Sequence, residues 1–366
     1  MPPTPRLCLV GPLPPPSGGM ANQCEQLLRL WRAEGVAVEL VQTNAPYRPA
    51  WVGGVPVLRA GFRLLPYLAR LWRTFGRADV VHVLANSGWS WHLVAAPALW
   101  LARWRGVAAV VNYRGGEADA FFSAAPRHVL RALARAELRV VPSAYLLRVV
   151  ARHGLDAEVV PNIVDLSRFA PAALGAPCGF GDAPHLIVSR NLEPIYDLPT
   201  ALRAFALLRQ RLPGARLTVA GSGPEEPALR RLAAELGLAD AVVFTGRIEN
   251  ARMPALLAQA DLLLNPSTVD NMPISILEAF ASGVPVVSTD AGGIPDMVNE
   301  GIDGLLVPVG NPAALAAAAL RVLTDPALAA RLRAAGLDAA QQYAWPQVRG
   351  QWLAVYRRAA ALRSKP

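Results

Sequence analysis

Short apolar runs alternate with helical segments along most of this chain, and the alternation limits the folds it can adopt. Residues 6–10, 185–189 and 216–220 are three of these runs. Each is followed by a loop containing glycine or proline and then by apolar residues at helical spacing. Strands that alternate with helices in this way form a mainly parallel sheet with helices on its faces. The sequence therefore predicts an α/β fold.

One stretch interrupts the alternation and divides the chain. Residues 166–183 are rich in proline, glycine and alanine and show no sustained period, which is typical of a linker. A chain of 366 residues has room for two domains that each bury a core. We therefore predict Rossmann-like domains over 1–165 and 184–344 that face a cleft, followed by a final helix within 345–366.

The composition favours a folded cytoplasmic protein. Hydrophobic residues make up 53% of the chain and charged residues 17%, which excludes a disordered protein. The odd count of three cysteines does not suggest a disulfide framework and favours a reducing compartment, and their spacing predicts no metal site. The first apolar run is too short for a signal peptide. The uncharged run 80–102 contains polar residues and a proline, so a strand, a loop and a buried helix explain it better than a membrane span.

The net charge of +9 is concentrated in the first half of the chain. No motif that combines aromatic and basic residues for nucleic-acid binding accompanies it, so we predict no nucleic-acid partner. Segment 58–77 places several arginines among leucines and aromatic residues, which is the composition of a helix that lies on an anionic membrane. The alternative is a helix packed on the sheet with solvated arginines, and Pro66 interrupts the pattern. Both interpretations stay open.

A stretch with two carboxylates has the pattern of a ligand site. A buried-strand run at 261–264 leads into a polar loop, and apolar residues at helical spacing follow from Ile274 to Phe280. Asp270 therefore precedes a helix, and Glu278 lies within it. Backbone N–H groups at a helix N-terminus attract anions, and carboxylates accept hydrogen bonds from hydroxyls. This combination suits a ligand that is anionic at one end and polyhydroxylated at the other, such as a nucleotide sugar.

A glycine loop follows the first strand run. Gly18 and Gly19 stand between that run and a helix predicted over 22–31, where the backbone would approach a phosphate closely. The spacing differs from the GxGxxG pattern of dinucleotide-binding proteins, and a plain tight turn explains the glycines equally well.

Several short motifs occur in a specific order over almost the whole chain. They are Pro16-Ser17-Gly18-Gly19, Val141-Pro142-Ser143, Val159 to Asp165, Ala220 to Glu225, Thr245-Gly246-Arg247 and Ser288 to Asp296. Together they resemble the GT-B glycosyltransferases of family 4. The resemblance implies retaining transfer, with the donor bound by the C-terminal domain and the acceptor by the N-terminal domain. It also implies that the last helix crosses back onto the N-terminal domain and that Gly221 and Gly223 lie against the donor.

The two-carboxylate signature of the family, Glu-x7-Glu, is matched here by Asp270 and Glu278. The match implies that Glu278 holds the ribose hydroxyls and that Asp270, one methylene shorter than glutamate, binds hydroxyls of the donor sugar. It also implies that the residues after Asp270 offer backbone N–H groups to the sugar and the diphosphate. These residues are Asn271, Met272, Pro273, Ile274 and Ser275. Taken alone, Glu278 is better explained as an exposed first-turn glutamate stabilised by the helix dipole.

A basic pair after the first strand of the C-terminal domain is the second signature of the family. Arg190 supplies the arginine that is expected to reach the diphosphate, but Tyr196 or one of its neighbours stands where the family has a lysine. Losing one preorganised donor at a leaving group typically costs about 3–4 kcal/mol. Either Arg190, Gly19 and the helix N-terminus suffice, or another arginine such as Arg247 or Arg114 reaches in, or activity is low.

The third signature of the family is a histidine after the strand that ends near Asn112. Here Tyr113 and Arg114 occupy that place, so we predict no catalytic histidine and assign both residues to the acceptor side. Arg114 would bind an acidic or phosphorylated acceptor, or else form a structural salt bridge.

The resemblance and the residues together predict a retaining, metal-independent glycosyltransferase without a cofactor. It would move a hexosyl unit from a UDP- or GDP-linked sugar to a glycan, a lipid-linked acceptor or a small molecule. The alternatives are a non-catalytic scaffold that binds a sugar nucleotide or a partner, and an epimerase or phosphorylase of the same architecture. A phosphorylase would normally need a cofactor lysine, and Lys365, the only lysine, is poorly placed at the tail.

Overall fold

The computed structural model describes residues 4–15, 18–47, 56–124, 127–169 and 183–363. Contacts divide the chain into two compact units. The N-terminal unit comprises Met1–Pro161 together with Val348–Pro366, and the C-terminal unit comprises Asn162–Gln347.

The unit boundary differs slightly from the predicted one. It falls after Pro161 rather than after residue 165. Residues 166–169 of the predicted linker belong to the C-terminal unit, and residues 170–182 lie outside the described residues. The boundary shifts because residues just after Pro161 are bonded to the C-terminal unit. The Asn162 side chain donates a hydrogen bond to Met272 O, and the Val164 N–H donates one to Tyr343 O.

The N-terminal unit is built on a six-stranded parallel sheet. Its strands are β1 (Leu7–Gly11), β2 (Val38–Gln42), β3 (Val80–Ala85), β4 (Ala108–Tyr113), β5 (Leu138–Val141) and β6 (Glu158–Val159). The strand order is β2-β1-β3-β4-β5-β6. Every residue of β1, β3 and β4 is buried, as expected for strands that are covered on both faces. The sequence predicted the runs that became these strands.

Six helices follow the strands of this sheet. They are α1 (Gly19–Ala33), α2 (Pro56–Phe75), α3 (Ala96–Arg105), α4 (Ala118–Ala124), α5 (Arg127–Ala134) and α6 (Ala144–Arg152). One π-helical turn, Trp91–Ala95, leads into α3. Pro66 does not interrupt α2, contrary to the sequence expectation. Proline disfavours a helix interior, but the buried residues Tyr67, Leu71 and Phe75 hold the following turns in the core.

The C-terminal unit has a second six-stranded parallel sheet. Its strands are β7 (His185–Ser189), β8 (Arg216–Ala220), β9 (Val242–Gly246), β10 (Leu262–Asn265), β11 (Val286–Thr289) and β12 (Leu305–Val307). The order is β12-β11-β10-β7-β8-β9, so the chain proceeds outward in one direction from β7 and in the other from β10. Ligands of open α/β sheets bind at such a reversal, beyond the carboxyl ends of the two central strands.

Six helices surround the second sheet. They are α7 (Leu198–Arg209), α8 (Glu226–Glu235), α9 (Met253–Leu257), α10 (Ile274–Ala281), α11 (Pro312–Thr324) and α12 (Pro326–Gln341). Side chains of Asn311 and Asp325 cap α11 and α12 by accepting hydrogen bonds from backbone N–H groups of the first turn. In the described part of the chain no single helix has the length and apolarity of a membrane span. Among the described residues, the pair α11 and α12 reaches that length and apolarity when the two helices are taken together, and the chain bends by 98° between them.

The last helix, α13 (Trp345–Arg363), belongs to the N-terminal unit from Val348 onward. Trp352 and Tyr356 lie against His82 of β3, with ring centroids 4.5 and 5.8 Å from the imidazole. The Tyr356 hydroxyl forms a 2.8 Å hydrogen bond with His82 Nδ1. The helix therefore covers part of the first sheet.

Candidate functional site

Arg190 lies at the reversal point of the second sheet. It directly follows β7, and its backbone N–H donates to Ala220 O at 3.1 Å. Its guanidinium Nε donates to Asn265 Oδ1 at 2.7 Å, and one terminal nitrogen lies 2.7 Å from a carboxylate oxygen of Asp270. The side chains of Arg190 and Asp270 are only 11% and 14% exposed. The residues after β7 and β10 therefore form a mostly buried ion pair where the topology predicts a ligand.

Tyr196 supports the guanidinium from one side. Its ring centroid lies 5.1 Å from Arg190 Cζ, within the range of a cation–π contact. Burial raises the pKa of Tyr196, although the positive charge of Arg190 acts in the opposite direction. The ring thus holds the arginine in place without adding a second positive charge.

The loop that carries Asp270 is fixed by hydrogen bonds to its backbone and side chain. The Asn271 N–H donates to Asp270 Oδ1 at 2.8 Å, and the Gly293 N–H donates to Asp270 O at 2.8 Å. Gly292 has a φ of +56°, and a Cβ there would lie 2.1 Å from Asp270 O. Only glycine allows this approach, so the turn after β11 sets the position of Asp270.

The residues predicted to offer N–H groups lie where the sequence expected, between Asp270 and the first turn of α10. Two of them differ from that expectation. Asn271 already uses its N–H for Asp270, and Pro273 has no N–H to offer. The Met272 carbonyl accepts a 2.7 Å hydrogen bond from the Asn162 side chain, which fixes the peptide before the helix. The predicted N–H donors therefore reduce to Met272, Ile274 and Ser275.

Glu278 is buried in the middle of α10 and is only 8% exposed. The alternative of an exposed first-turn glutamate is therefore wrong, since α10 begins at Ile274 and its buried face carries the carboxylate. Burial raises the pKa of Glu278 to about 7, while the charges of Arg168 and Arg190 act to lower it. A carboxylate in this setting is suited to accept hydrogen bonds from hydroxyl groups.

Gly221 and Gly223 lie against the loop that carries Arg190. A Cβ at Gly221 would lie 1.8 Å from Arg190 O, and one at Gly223 would lie 2.3 Å from Leu192 O. Both glycines therefore allow the turns after β7 and β8 to pack closely. Their predicted contact with a donor stays a prediction. Arg247 is exposed and follows β9, the edge strand, two strands from β7.

Gly18 and Gly19 begin α1 in the N-terminal unit. Gly18 is the N-cap in an extended conformation, without a side-chain cap, and a Cβ on it would contact no atom within 4 Å. The first turn of α1 contains no acidic residue. This helix start remains compatible with the predicted approach of a phosphate, which stays a prediction.

Tyr113 lies in the core of the N-terminal unit, where only 2% of it is exposed. Its ring packs against Phe122 at 4.7 Å, and its hydroxyl forms a 2.7 Å hydrogen bond with Ser87 Oγ. Gly115 leaves room for the Tyr113 hydroxyl, because a Cβ at this position would lie 2.6 Å from that oxygen. The Tyr113 side chain therefore packs in the core of the N-terminal unit, and its predicted place on the acceptor side stays a prediction.

Arg114 follows β4, and its backbone N–H donates to Ala85 O at 2.9 Å. Burial lowers its pKa to about 10. Arg114 in turn contributes to the low pKa of His82, which burial brings down to about 3. The predicted contact of Arg114 with an acceptor stays a prediction.

Sequence reasoning missed three residues that shape the cluster of Arg190, Asp270 and Glu278. Asn265 accepts from Arg190 and also donates to Ser288 Oγ at 2.8 Å. A polar residue at the end of an apolar run is a signal that could have identified it. Gly292 was part of a recognised motif without an assigned role. The positive charge of Arg168 lowers the pKa of Glu278, although the two residues are far apart in the sequence, and no local pattern indicates this interaction.

The described residues contain no group of three or more histidine, cysteine, aspartate or glutamate side chains that could hold a metal ion.

Comparison with known proteins supports the class that the two sheets and the cluster suggest. Residues 17–168 match the family model Glycosyltransferase Family 4, and residues 179–338 match Glycosyl transferases group 1. The GDP-mannose-dependent alpha-(1-6)-phosphatidylinositol monomannoside mannosyltransferase of Mycolicibacterium smegmatis is 30% identical over 90% of this chain and 92% of its own length. The chain therefore belongs to the GT-B glycosyltransferases of family 4.

A second relative matches about half of the chain, and a solved structure matches its fold over nearly the whole length. The D-inositol 3-phosphate glycosyltransferase of Saccharomonospora viridis is 34% identical over 54% of this chain and 49% of its own length. The crystal structure of HepE from Anabaena, in complex with UDP and glucose, superposes with a TM-score of 0.73 at 18% identity. That match covers 96% of this chain and 99% of HepE, and it supports the two-domain Rossmann-like fold.

Proposed function

We propose that this protein transfers a hexosyl unit from a nucleoside diphosphate sugar to an acceptor hydroxyl, with retention of configuration and without a metal ion. The observation that carries the proposal is the cluster of Arg190, Asp270 and Glu278 at the reversal point of the second sheet. It combines one cation for a diphosphate with two carboxylates for hydroxyl groups. A nucleotide sugar carries both kinds of group.

In the proposed reaction, the bond between C1 of the sugar and the diphosphate oxygen breaks first. Arg190 and the backbone N–H groups before α10 stabilise the negative charge that develops on the leaving diphosphate. The acceptor oxygen then forms a bond to C1 on the face that the diphosphate leaves. The acceptor hydroxyl proton passes to a diphosphate oxygen. No side-chain nucleophile is required in this scheme.

Glu278 binds the ribose and Asp270 the transferred sugar in the same proposal. Burial removes water from the Glu278 carboxylate and so raises its pKa. Hydrogen bonds donated by two ribose hydroxyls would stabilise the charged carboxylate in place of that water. Asp270 shares its carboxylate between Arg190 and the Asn271 N–H. These two contacts fix the orientation of the Asp270 carboxylate, which would accept one more hydrogen bond from a sugar hydroxyl.

The relatives suggest which donor and acceptor to test first. The mannosyltransferase from Mycolicibacterium smegmatis, whose name specifies GDP-mannose and a phosphatidylinositol mannoside, aligns over 92% of its own length. We therefore propose GDP-mannose as the first donor candidate and a lipid-linked acceptor as the first acceptor candidate. UDP-glucose is the second donor candidate, since HepE holds UDP and glucose in a similar fold.

We also propose that the protein works in the cytoplasm at the inner face of the membrane. This rests on the odd number of cysteines, which does not suggest a disulfide framework, and on the basic segment 58–77. A lipid-linked acceptor would be presented at that surface.

The test begins with the donor. Melting temperatures would be measured with UDP- and GDP-linked sugars, because a bound donor stabilises the folded state by mass action. The donor with the largest shift would then be incubated with phosphatidylinositol and glycolipid acceptors, with and without EDTA. We expect transfer that is unchanged by EDTA, and a product whose anomeric configuration by NMR equals that of the donor. An inverted product or loss of activity in EDTA would contradict the proposal.

A non-catalytic scaffold is the second candidate, and Tyr196 in the lysine position is the observation that favours it. A scaffold would show a thermal shift with the donor but neither transfer nor slow donor hydrolysis. Quantifying the nucleoside diphosphate released over several hours separates the two candidates.

A further inference from the structure

Exposed apolar side chains are concentrated on two neighbouring helices of the N-terminal unit. Leu65 on α2 is 70% exposed, and Trp100 and Trp104 on α3 are 57% and 76% exposed. Phe62 and Trp72 on α2 are also exposed. Large contiguous apolar patches are uncommon on proteins that have no partner. We call these five side chains, Phe62, Leu65, Trp72, Trp100 and Trp104, the α2–α3 surface.

The spacing and the contacts place these side chains on one continuous face. Trp100 and Trp104 are four residues apart on α3, and Leu65 and Trp72 are seven apart on α2, so each pair shares a helix face. The rings of Trp72 and Trp104 are 6.4 Å apart in an edge-to-face contact that joins the two helices. The opposite face of α2 is buried through Tyr67, Leu71 and Phe75. The exposed aromatic residues therefore point away from the core.

The chain segment that carries these two helices is strongly basic. From residue 56 to residue 105 the chain has seven arginines, no lysine and a single acidic residue. That residue, Asp79, is paired with Arg6 at 2.7 Å and does not neutralise the helices. Arg105 lies 4.4 Å from the Trp72 ring centroid, and Arg135 lies 5.1 Å from that of Trp100. Guanidinium groups thus lie directly on the exposed indoles.

We propose that the α2–α3 surface docks this protein on an anionic lipid bilayer. The proposal extends beyond segment 58–77, since α3 contributes the two most exposed indoles of the surface, and it rests on the proposed function for the lipid-linked acceptor. Indoles partition to the level of the lipid headgroups, and each arginine near an anionic membrane adds about fivefold to binding. Both helices lie along the sheet, so the surface would rest on the bilayer rather than cross it.

A protein partner fits these observations less well. Residues 56–105 carry seven arginines and one acidic residue, so a protein partner would have to supply a matching set of acidic side chains, whereas an anionic bilayer offers phosphate groups over its whole surface. A bilayer interface accommodates both arginine and tryptophan, because arginine side chains extend to phosphate groups while the indoles enter the headgroup layer.

The test uses the full-length protein and sedimentation with vesicles. One set of vesicles contains phosphatidylcholine alone, and the other contains phosphatidylcholine with phosphatidylglycerol at a ratio of about 7:3. We expect binding to the anionic vesicles that weakens steeply with added salt, and little binding to phosphatidylcholine alone. Equal binding to both sets, or no binding to either, would overturn the proposal.

Two variants and matched controls locate the surface. Trp100→Ser with Trp104→Ser should raise the lipid concentration for half-maximal binding by about tenfold or more. Arg73→Gln with Arg103→Gln should do the same through lost charge. The control Ile302→Ser with Arg231→Gln changes one exposed apolar and one exposed basic residue of the C-terminal unit, and it should bind as the parent does. All melting temperatures should agree, because every changed side chain is exposed. Equal losses in the control and in the surface variants would contradict the proposal.

Two further readouts separate this inference from its rivals and from the proposed function. Light scattering that shows a dimer in the parent and a monomer in the tryptophan variant would assign the surface to self-association and overturn lipid docking. Donor hydrolysis in solution should be unchanged in the surface variants. Vesicle binding without donor turnover would contradict the proposed function alone, and turnover without vesicle binding would contradict this inference alone.

Discussion

The guanidinium of Arg190 lies 2.7 Å from the carboxylate of Asp270, although one residue follows β7 and the other lies in the loop after β10. The pair is mostly buried, so its charges are screened less than those of a surface ion pair. A donor would bring an anionic diphosphate to the arginine and hydroxyl groups to the aspartate. Binding would therefore exchange partners without leaving either charge uncompensated.

Replacing Arg190 tests the proposed diphosphate contact most directly. We expect Arg190→Ala to lower kcat by about 10²- to 10³-fold at saturating donor, since about 3–4 kcal/mol of transition-state stabilisation is lost with one preorganised donor. Arg190→Lys should retain an intermediate rate, because it keeps the charge but loses the hydrogen bond to Asn265. The exposed control Arg231→Ala should turn over normally. Full turnover in Arg190→Ala would exclude the assigned role.

Asp270→Asn should separate binding of the diphosphate from reaction of the sugar. The substitution removes the negative charge next to Arg190, so affinity for the free nucleoside diphosphate should stay equal or increase. The rate of transfer should fall at least about tenfold, because a charged acceptor of sugar hydroxyl hydrogen bonds becomes neutral. Calorimetric titration with UDP and GDP, together with steady-state kinetics, measures both quantities. A parallel loss of nucleotide affinity would refute this division of roles.

Tyr196 should act through Arg190, as a positioning residue. Tyr196→Phe keeps the ring beneath the guanidinium, and we expect its kcat to stay within about twofold of the parent value. Tyr196→Ala should lose about 2- to 30-fold, which corresponds to a cation–π contact of roughly 0.5–2 kcal/mol. If the phenylalanine variant lost as much as the alanine variant, the hydroxyl group rather than the ring would be responsible.

Glu278 should make stability depend on pH. Burial raises its pKa from 4.5 to about 7, so the folded protein keeps a proton at pH values where the unfolded chain has lost it. The contribution of this group to the free energy of unfolding is therefore full below about pH 4.5. It falls by on the order of 3 kcal/mol as the pH rises to about 7, and it is constant above that.

Glu278→Gln should remove this pH dependence. Urea unfolding at pH 5 and pH 8 should show that the variant gains stability relative to the parent at the higher pH. The control Glu235→Gln changes an exposed glutamate on α8 and should leave the pH dependence as it is. An unchanged pH dependence in Glu278→Gln would show that the carboxylate is not buried in the folded state.

The turn at Gly292 should be intolerant of a side chain. Gly292→Ala and Gly310→Ala both place alanine at a positive φ, which costs roughly 1–2 kcal/mol at either position. A Cβ at Gly310 contacts nothing within 4 Å, whereas one at Gly292 lies 2.1 Å from Asp270 O. We therefore expect Gly292→Ala to lose more free energy of unfolding than Gly310→Ala. Transfer activity should fall in Gly292→Ala and stay unchanged in Gly310→Ala. Equal losses in both variants would exclude a role for the close contact.

Much of the fold could be predicted from local pattern. The sequence shows the apolar runs that became β7, β8 and β10, and it shows apolar residues at helical spacing in α7 and α10. A buried strand appears as a short apolar run, and a buried helix face appears as apolar residues three or four positions apart. The short strand β12 and the helix α12 were not predicted. A three-residue strand is too short to show a period, and α12 follows α11 with only Asp325 between them.

The sequence alone determined the two α/β arrays, the family and the positions of the site residues along the chain, because these depend on local periodicity and on motif spacing. Only the tertiary structure decided which groups meet. It pairs Arg190 with Asp270, buries Glu278 near Arg168 and turns Tyr113 into the core. These outcomes depend on strand order and on long-range packing, which bring together side chains whose sequence separation carries no signal.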